Sequence, residues 1–224
     1  MKKQTSFREI RYKEKREKIL RNAAKLFARK GYEKASLEEI ASKLKLTKAS
    51  LYHYITSKEE MLFQIQMQAV KETNSAIEQV LESDMDPVQK LKGAVKGHVS
   101  VVTREHVIGA LRQQELILPS KWREQVVAER DRFEKSFQKI IREGMDAGLF
   151  QALNWKMSTM AALGALNWIL RWYSPKGELS ADEIGEAMAD FIAQGFGVRQ
   201  EDSEPGRIKS FDPSGPVKES EGVV

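Results

Sequence analysis

The stretch 36–58 constrains this chain most strongly, because it contains two short helices in immediate succession. The first helix is predicted to begin at Ser36, since a serine followed three residues later by Glu39 is the pattern of a capping box. The apolar residues that follow recur at helical spacing and give this helix one buried face. Residues 43–46 then leave room for little more than a tight turn.

The second helix is predicted to begin after Thr47, a residue type that caps helix N-termini with its side-chain oxygen. Leu51 and Ile55 lie one turn apart and form its buried side. The opposite side carries side chains that donate to phosphates or reach base edges, namely Lys48, Tyr52 and His53. A helix, a tight turn and a second helix with a polar outer face predict a helix-turn-helix.

Residues 12–64 resemble the DNA-binding region of the TetR family of bacterial transcription regulators. Four motifs carry the resemblance in the family's order and spacing: I-L-x-x-A-A-x-L-F-x-x-x-G-Y at 19–32, S-x-x-x-I-A at 36–41, L-Y-H-Y at 51–54 and K-E-x-M-L at 58–62. Two positions depart from the family pattern, since Lys45 and Ala49 stand where glycine is common. A positive φ at Lys45 would cost on the order of 1 kcal/mol.

The predicted DNA contacts lie at the two helix starts, along the second helix and at the start of the next one. They are Ser36, Thr47, Lys48, Ala49, Ser50, Tyr52, His53, Tyr54 and Lys58. Lys58 falls in the first turn of a long helix that opens with a second capping-box pattern, Ser57 and Glu60. A DNA phosphate there is favoured by the helix dipole and by the lysine charge.

Charge is distributed unevenly along the 224 residues. Residues 1–58, the head, hold 17 lysines and arginines against 6 acidic residues, a net charge of +11, whereas residues 59–224 have a net charge of −6. A basic head on a mildly acidic body predicts that only the head meets a polyanion. Residues 1–11 form a basic arm, which is disordered in the free protein or follows the DNA backbone in the complex.

The predicted fold is all-α, with an N-terminal three-helix helix-turn-helix domain followed by a C-terminal helical bundle. The head is followed by the bundle, residues 59–198, which is predicted to bind the ligand and to dimerise, and by a disordered tail, 199–224. Sustained period-two alternation is absent, so strands are not supported. The predicted helices outside the helix-turn-helix pair cover 12–30, 58–83, 87–104, 107–118, 121–147, 153–173 and 181–196.

The last two predicted helices suggest an interface between two copies of the chain. Helix 153–173 is apolar nearly all round and contains several small residues, and helix 181–196 opens with the capping-box pair Ser180 and Glu183. In the TetR family this pair of helices usually forms the dimer interface, while the alternative is that both fill the core of one protomer. The predicted interface residues are Ala161, Gly164, Ala165, Ile184, Met188, Phe191 and Ile192.

Residues 166–180 are similar to a TetR subgroup that senses acyl-coenzyme A thioesters. Trp168 and Trp172 lie one turn apart and offer an aromatic surface for an adenine ring, and Arg171 offers a cation for a phosphate. Arg104 and Arg112 are candidate second cations from other helices. The alternatives are that the tryptophans are core residues, and that the effector is an unrelated hydrophobic molecule.

Enzyme, metal and membrane functions find no support in the sequence. Cysteine is absent, which excludes disulfides, thiolate metal sites and thiol nucleophiles. The three histidines, His53, His98 and His106, have no metal-ligand spacing, and neither a P-loop nor a G-x-S-x-G motif occurs. Neither a signal peptide nor a membrane-spanning run is visible, so the cytoplasm is expected.

The prediction is therefore a homodimeric, ligand-responsive repressor of a near-palindromic operator, without catalytic residues, cofactor or metal. The other hypotheses are a nonspecific architectural DNA-binding protein and an enzyme on a helical bundle.

Overall fold

A computed structural model of the protein describes residues 7–112, 117–151 and 154–198. The helices of these three ranges are α1 Phe7–Lys30, α2 Leu37–Lys43, α3 Lys48–Tyr52, α4 Lys58–Leu81, α5 Pro87–Val102, α6 Glu105–Leu111, α7 Ser120–Asp146, α8 Trp155–Trp172 and α9 Ala181–Gly195. Within these ranges the chain forms no strand, which confirms the all-α prediction. The predicted tail 199–224, residues 1–6 of the arm and Leu153 lie outside the described residues.

The predicted N-caps are present at the starts of the helices that surround the helix-turn-helix. Ser36, Thr47 and Ser57 each accept a hydrogen bond from the backbone N–H three residues later, at 3.0–3.1 Å. At the start of α9 the pair Ser180 and Glu183 completes a capping box, with both reciprocal bonds formed. These short-range contacts fix where each helix begins because they satisfy N–H groups that the helix itself leaves unpaired.

Two predicted capping boxes are only half formed, because tertiary partners take their glutamates. Glu39 forms ion pairs with Lys30, at 2.8 Å, and with Arg29, both at the end of α1. Glu60 accepts from the backbone N–H of Thr56 at 2.6 Å and from Arg16 of α1 at 3.0 Å. Both glutamates therefore attach neighbouring elements to α1.

Helix α1 begins at Phe7, five residues before its predicted start, so the second half of the predicted arm is helical. The extension packs at Tyr12, whose ring stacks on Tyr54 with centroids 5.0 Å apart, and whose hydroxyl donates to the carbonyl of His53. This contact holds the first turns of α1 against the helix-turn-helix. At the other end, Gly31 adopts a φ of 80° and terminates α1 as predicted.

Two hydrophobic cores share helix α4. The core of the head contains Leu26 and Ile40 together with Met61 and Leu62 of α4, and it also takes in Val126 of α7. The core of the bundle is built from α5 and α7–α9 and includes the later α4 residues. The predicted domain boundary after residue 58 therefore falls in the first turn of a helix that belongs to both cores.

Helix α6 connects the head to the bundle through an unusually close approach. A Cβ placed on Gly109 would lie 2.3 Å from the backbone N and Cα of Ala28 in α1. The buried amide of Gln66 in α4 donates to the carbonyl of Ala110 at 2.9 Å. Arg112, just after α6, donates to the carbonyls of Leu170 and Tyr173 at 2.6 and 2.8 Å. Helix α6 therefore contacts α1, α4 and the end of α8.

Helix α8 buries only one face within the protomer, although its sequence is apolar nearly all round. The buried residues are Thr159, Ala162, Leu166 and Ile169. The opposite face leaves large apolar side chains exposed, namely Met157, Met160, Trp168 and Trp172. A helix with an apolar exposed face is suited to a further packing partner.

Candidate functional site

The recognition helix α3 presents an exposed polar side above a buried anchor. Leu51 and Ile55 are buried in the core of the head, as their spacing predicted. The exposed members of the predicted DNA-contact set are Ser36, Thr47, Lys48, Ala49, Tyr52 and His53. Ser50 is half buried, and its side chain accepts a hydrogen bond from the Thr47 hydroxyl at 2.8 Å. This arrangement offers donors of several kinds to a DNA groove.

Within the head, Lys48 forms an ion pair with a residue that the sequence did not single out. Its ammonium donates to Glu38 Oε1 of α2 at 2.5 Å. The hydrogen bond from Lys48 lowers the pKa of Glu38, and the same bond raises the pKa of Lys48. Both side chains are well exposed, so a DNA phosphate competes with Glu38 for the same cation.

Lys58 has internal partners, and this revises its predicted role as a free phosphate ligand. Its ammonium donates to the carbonyls of Tyr32, Glu33 and Ala35, at 3.0, 3.3 and 3.3 Å, and lies 4.3 Å from the centroid of the Tyr32 ring. These three bonds occupy all three donors of a lysine. In this structure Lys58 therefore ties the α1–α2 connection to the start of α4.

Tyr54 is half buried against α1 and also lines a groove beside that helix. Its ring stacks on Tyr12, and its carbonyl accepts from Arg16 Nε at 3.2 Å. The side chain is half buried by these contacts with α1. Tyr54 thus packs against α1, and its predicted contact with DNA stays a prediction.

A basic groove runs along the first half of α1 beside α3. Its cationic side chains recur at helical spacing along one side of α1 and are Arg8, Arg11, Lys15 and Lys18. The sequence contained this signal, but a helix start predicted at residue 12 separated the first two residues from the last two. The groove extends the positive surface of the head beyond the recognition helix.

The turn between α2 and α3 adopts the conformation that favours glycine. Lys45 has a φ of 55°, in the left-handed region. It is the single non-glycine residue with a positive φ in the described part of the chain. The family's usual glycine is therefore explained by the backbone, and lysine at this position carries a strain of about 1 kcal/mol.

The structure brings Arg112 to the end of α8, beside Arg171 and Trp172, and the role of this set in effector binding stays a prediction. Arg104 pairs with Glu72 of α4, and Arg112 caps the end of α8 through two carbonyls. Trp168, Arg171 and Trp172 lie on the exposed side of α8, with Trp168 64% exposed. The guanidinium groups of Arg104 and Arg112 thus both have partners within the chain, which residue charge alone does not indicate.

A partly enclosed cavity of about 150 Å³ lies instead between α4, α5, α6, α7 and α8. Apolar side chains from all five helices line it, including Val70, Val102, Leu111, Phe133 and Leu163. Its polar lining residues are Thr73, His98, Arg130, Asp131, Glu134 and Asn167. A mostly apolar cavity with a few polar groups is the usual form of a small-molecule site.

The sequence did contain a signal for one of these polar residues. His98 follows Leu91 and Val95 at helical spacing and precedes Val102, so it falls on the buried stripe of α5. A histidine in that stripe predicts a polar group facing the interior of the bundle. Its ring is tilted against Phe133, with centroids 5.2 Å apart.

The predicted dimer-interface residues divide into two groups. Ala161 and Gly164 of α8 and Phe191 of α9 are exposed, Phe191 at 67%, and Ala165 and Met188 are half buried. Ile184 and Ile192 are each 3% exposed because they pack in the core of the protomer. The assignment of Ile184 to the interface is therefore corrected, whereas Ile192 also lines a groove between α8 and α9.

The exposed group borders a shallow groove between α8 and α9. Ala161, Ala165 and Phe191 line this groove. The tryptophans Trp168 and Trp172 continue the exposed stripe of Ala161 and Gly164 at helical spacing. These two aromatic side chains therefore belong to the exposed face of α8 and not to the cavity.

Among residues 7–112, 117–151 and 154–198, no group of three or more histidine, cysteine, aspartate or glutamate side chains is arranged to hold a metal ion. None of the helices in those ranges combines the length and the apolar character needed to span a membrane.

Two solved structures of similar fold are those of the regulator PfmR and of AibR. The TetR family transcriptional regulator PfmR from Thermus thermophilus has a TM-score of 0.74 and 36% identity, over 79% of this chain and 97% of that one. AibR, solved in complex with isovaleryl coenzyme A and operator DNA, has a TM-score of 0.68 and 27% identity, over 79% and 96% of the two chains.

Sequence comparison gives the same assignment. The HTH-type transcriptional repressor KstR2 of Mycolicibacterium smegmatis is 25% identical over 191 residues, which cover 84% of this chain and 93% of KstR2. Residues 19–65 match the family model described as bacterial regulatory proteins, tetR family. Residues 84–196 match the model described as Tetracyclin repressor-like, C-terminal domain. The chain therefore belongs to the TetR family of helix-turn-helix transcription regulators.

Proposed function

We propose that this protein is a homodimeric repressor that binds a near-palindromic operator and leaves it when a short acyl-CoA enters the bundle. The observation that carries the DNA-binding part is α3, whose Lys48 and Tyr52 are exposed while Leu51 is buried beneath them. The head that holds α3 has a net charge of +11. A basic head with an ordered recognition helix suits the major groove of a polyanion.

The dimer is supported by the exposed face of α8 and α9. Large apolar side chains cover it, and small residues between them allow a second helix to approach closely. Two copies related by a two-fold axis would present two recognition helices to successive faces of the major groove. The operator would then have two half-sites about one helical turn apart, or a multiple of that distance.

Replacing Lys48 with alanine is expected to weaken binding to specific and nonspecific DNA alike. Removing one phosphate contact should lower the slope of log affinity against log salt by about one unit. The matched control is Lys176→Ala, which removes an exposed lysine from the α8–α9 connection. Fluorescence anisotropy over a salt series measures both variants, and an unchanged slope for Lys48→Ala would remove this residue from the DNA contact.

The effector is proposed to enter the cavity between α4 and α8. A structure of AibR contains isovaleryl coenzyme A, and residues 166–180 resemble the acyl-CoA-sensing subgroup. The cavity volume of about 150 Å³ is that of an engineered protein cavity that binds benzene. Such a volume suits an acyl group of about six heavy atoms and excludes a long chain.

Short acyl-CoAs are expected to release the protein from its operator, with affinity rising by about 0.8 kcal/mol per methylene until the cavity is filled. The experiment titrates the protein–operator complex with acyl-CoAs of increasing length, beside free coenzyme A. Leu163→Trp, which reduces the cavity, should abolish the response, and Arg171→Ala should keep it because Arg171 does not line the cavity.

Three results would redirect the proposal. Release by long acyl chains only would contradict the cavity assignment. If no thioester releases the DNA but a hydrophobic drug does, the effector is an unrelated molecule of the kind that efflux regulators sense. Equal affinity for all DNA sequences would indicate a nonspecific architectural protein.

A further inference from the structure

One polar side chain of the cavity has no hydrogen-bond partner in the fold described so far. The two ring nitrogens of His98 are inaccessible to solvent, and neither has a hydrogen-bond partner among the residues that the structure describes. A buried donor or acceptor without a partner costs free energy, and the great majority in native proteins are paired. Because His98 is one of the residues that line the cavity, a small rotation of its ring would bring one nitrogen to a ligand bound there.

The His98 imidazole is uncharged at neutral pH. Burial, with a smaller contribution from the Arg130 guanidinium, lowers the pKa of His98 to about 4. A neutral imidazole has one N–H that donates and one nitrogen that accepts. The ring is tilted against Phe133, with the centroids 5.2 Å apart. The cavity wall therefore contains an uncharged group that can donate one hydrogen bond.

Taken together, the charged groups that line the cavity carry no excess of positive charge. All three come from α7, and they are the guanidinium of Arg130 and the carboxylates of Asp131 and Glu134. Two negative charges against one positive charge give no excess of positive charge for a further carboxylate. The other polar lining residues, Thr73 and Asn167, are neutral. The polar group best suited to this position is an uncharged oxygen.

We infer that the cavity binds a short apolar group with one carbonyl oxygen, and that His98 donates its N–H to that oxygen. The identification of this carbonyl with that of a thioester rests on the proposed function, whereas recognition of a carbonyl by His98 does not. A thioester carbonyl is uncharged, and a free carboxylate is not. The site thus distinguishes an activated acyl group from the corresponding free acid.

The test uses the full chain without DNA and two probes of the same shape. Cyclohexanone carries the carbonyl oxygen, and methylenecyclohexane has a CH₂ group in its place. For the unmodified protein, we expect cyclohexanone to bind about tenfold more tightly, the value of one hydrogen bond to a buried donor. Ligand-observed NMR gives both affinities, and isovalerate is included as the anionic probe, which should not bind.

Variants at His98 assign the preference to the imidazole. His98→Phe should bind the two probes equally, and its ligand-free form should unfold at a higher temperature because an unpaired buried polar group has been removed. His98→Gln keeps an N–H donor and should retain most of the preference, which covers the case in which the phenylalanine variant fails to fold. The matched control is His106→Phe, outside the cavity, which should leave the preference unchanged.

Equal affinity of the two probes for the unmodified protein would overturn the inference. So would a His98→Phe variant of lower stability with an unchanged preference, since the imidazole would then be a structural group. The proposed function fails separately. If the ketone preference depends on His98 while no acyl-CoA releases the operator, the carbonyl site stands and the acyl-CoA effector is excluded.

Discussion

Replacing Gly109 with alanine is expected to destabilise the protein by about 3 kcal/mol, although glycine to alanine in a helix interior is normally favourable. The added Cβ would lie 2.3 Å from the backbone N and Cα of Ala28. The backbone of Ala28 cannot move aside for the added Cβ as a flexible side chain would. Helices α1 and α6 must therefore separate. Since α1 is the central helix of the head, operator affinity should fall together with stability.

Two further variants make this prediction specific. Gly185→Ala is the matched control, because its Cβ would meet the nearest atom of Lys96 at 3.7 Å, an ordinary contact. That variant should be neutral or more stable. Ala28→Gly should not rescue Gly109→Ala, since the nearest atoms belong to the backbone of residue 28. Thermal unfolding measures all three, and an unchanged midpoint for Gly109→Ala would show that α6 does not pack tightly on α1.

Replacing Phe191 with aspartate is expected to dissociate the dimer while the protomer stays folded. Phe191 is 67% exposed in the protomer, so its removal leaves no cavity in the core. In the proposed dimer the aspartate would become a buried, unpaired charge, at a cost of about 3–5 kcal/mol. The dimer dissociation constant should therefore rise by at least about a hundredfold, and operator binding should weaken because both half-sites are no longer held together.

Val127→Asp is the matched control, since Val127 is an exposed apolar residue on α7 that is not among the predicted interface residues. Analytical ultracentrifugation should show a dimer for Val127→Asp and a monomer for Phe191→Asp. Circular dichroism should show helical protein in both cases. A Phe191→Asp protein that remains dimeric would place the interface on another surface.

The features that the sequence predicts well are those set by residues close together in the chain. Ser36, Thr47 and Ser57 cap helices because each side chain reaches an N–H three residues away. Gly31 ends α1 through its positive φ, a feature that depends on this residue alone. Burial of Leu51 also follows from local spacing, and the order of the helices follows from such signals.

Partners that are distant in the chain were not predictable in the same way. Nothing near Lys58 in the sequence indicates that three carbonyls before residue 36 surround its ammonium. Arg112 resembled a free cation until the fold placed it at the end of α8. A charged side chain makes the contact that the fold offers, and the fold is set mainly by apolar packing. Residue type alone therefore overestimated the number of available cations.

The sharing of α4 between two cores has a consequence for chimeric regulators. A fragment that ends at residue 58 would lack Met61 and Leu62, which complete the core around α1, and also Val126 of α7. Grafting that fragment onto the body of another family member would expose apolar surface on both sides of the junction. A working hybrid should instead include the first half of α4 together with residues 1–58 of this protein. The residues of the other family member that correspond to Ala110 and Val126 should then be changed so that they pack against this added segment. The predicted DNA-binding residues thus do not form an independent unit that ends at the start of α4.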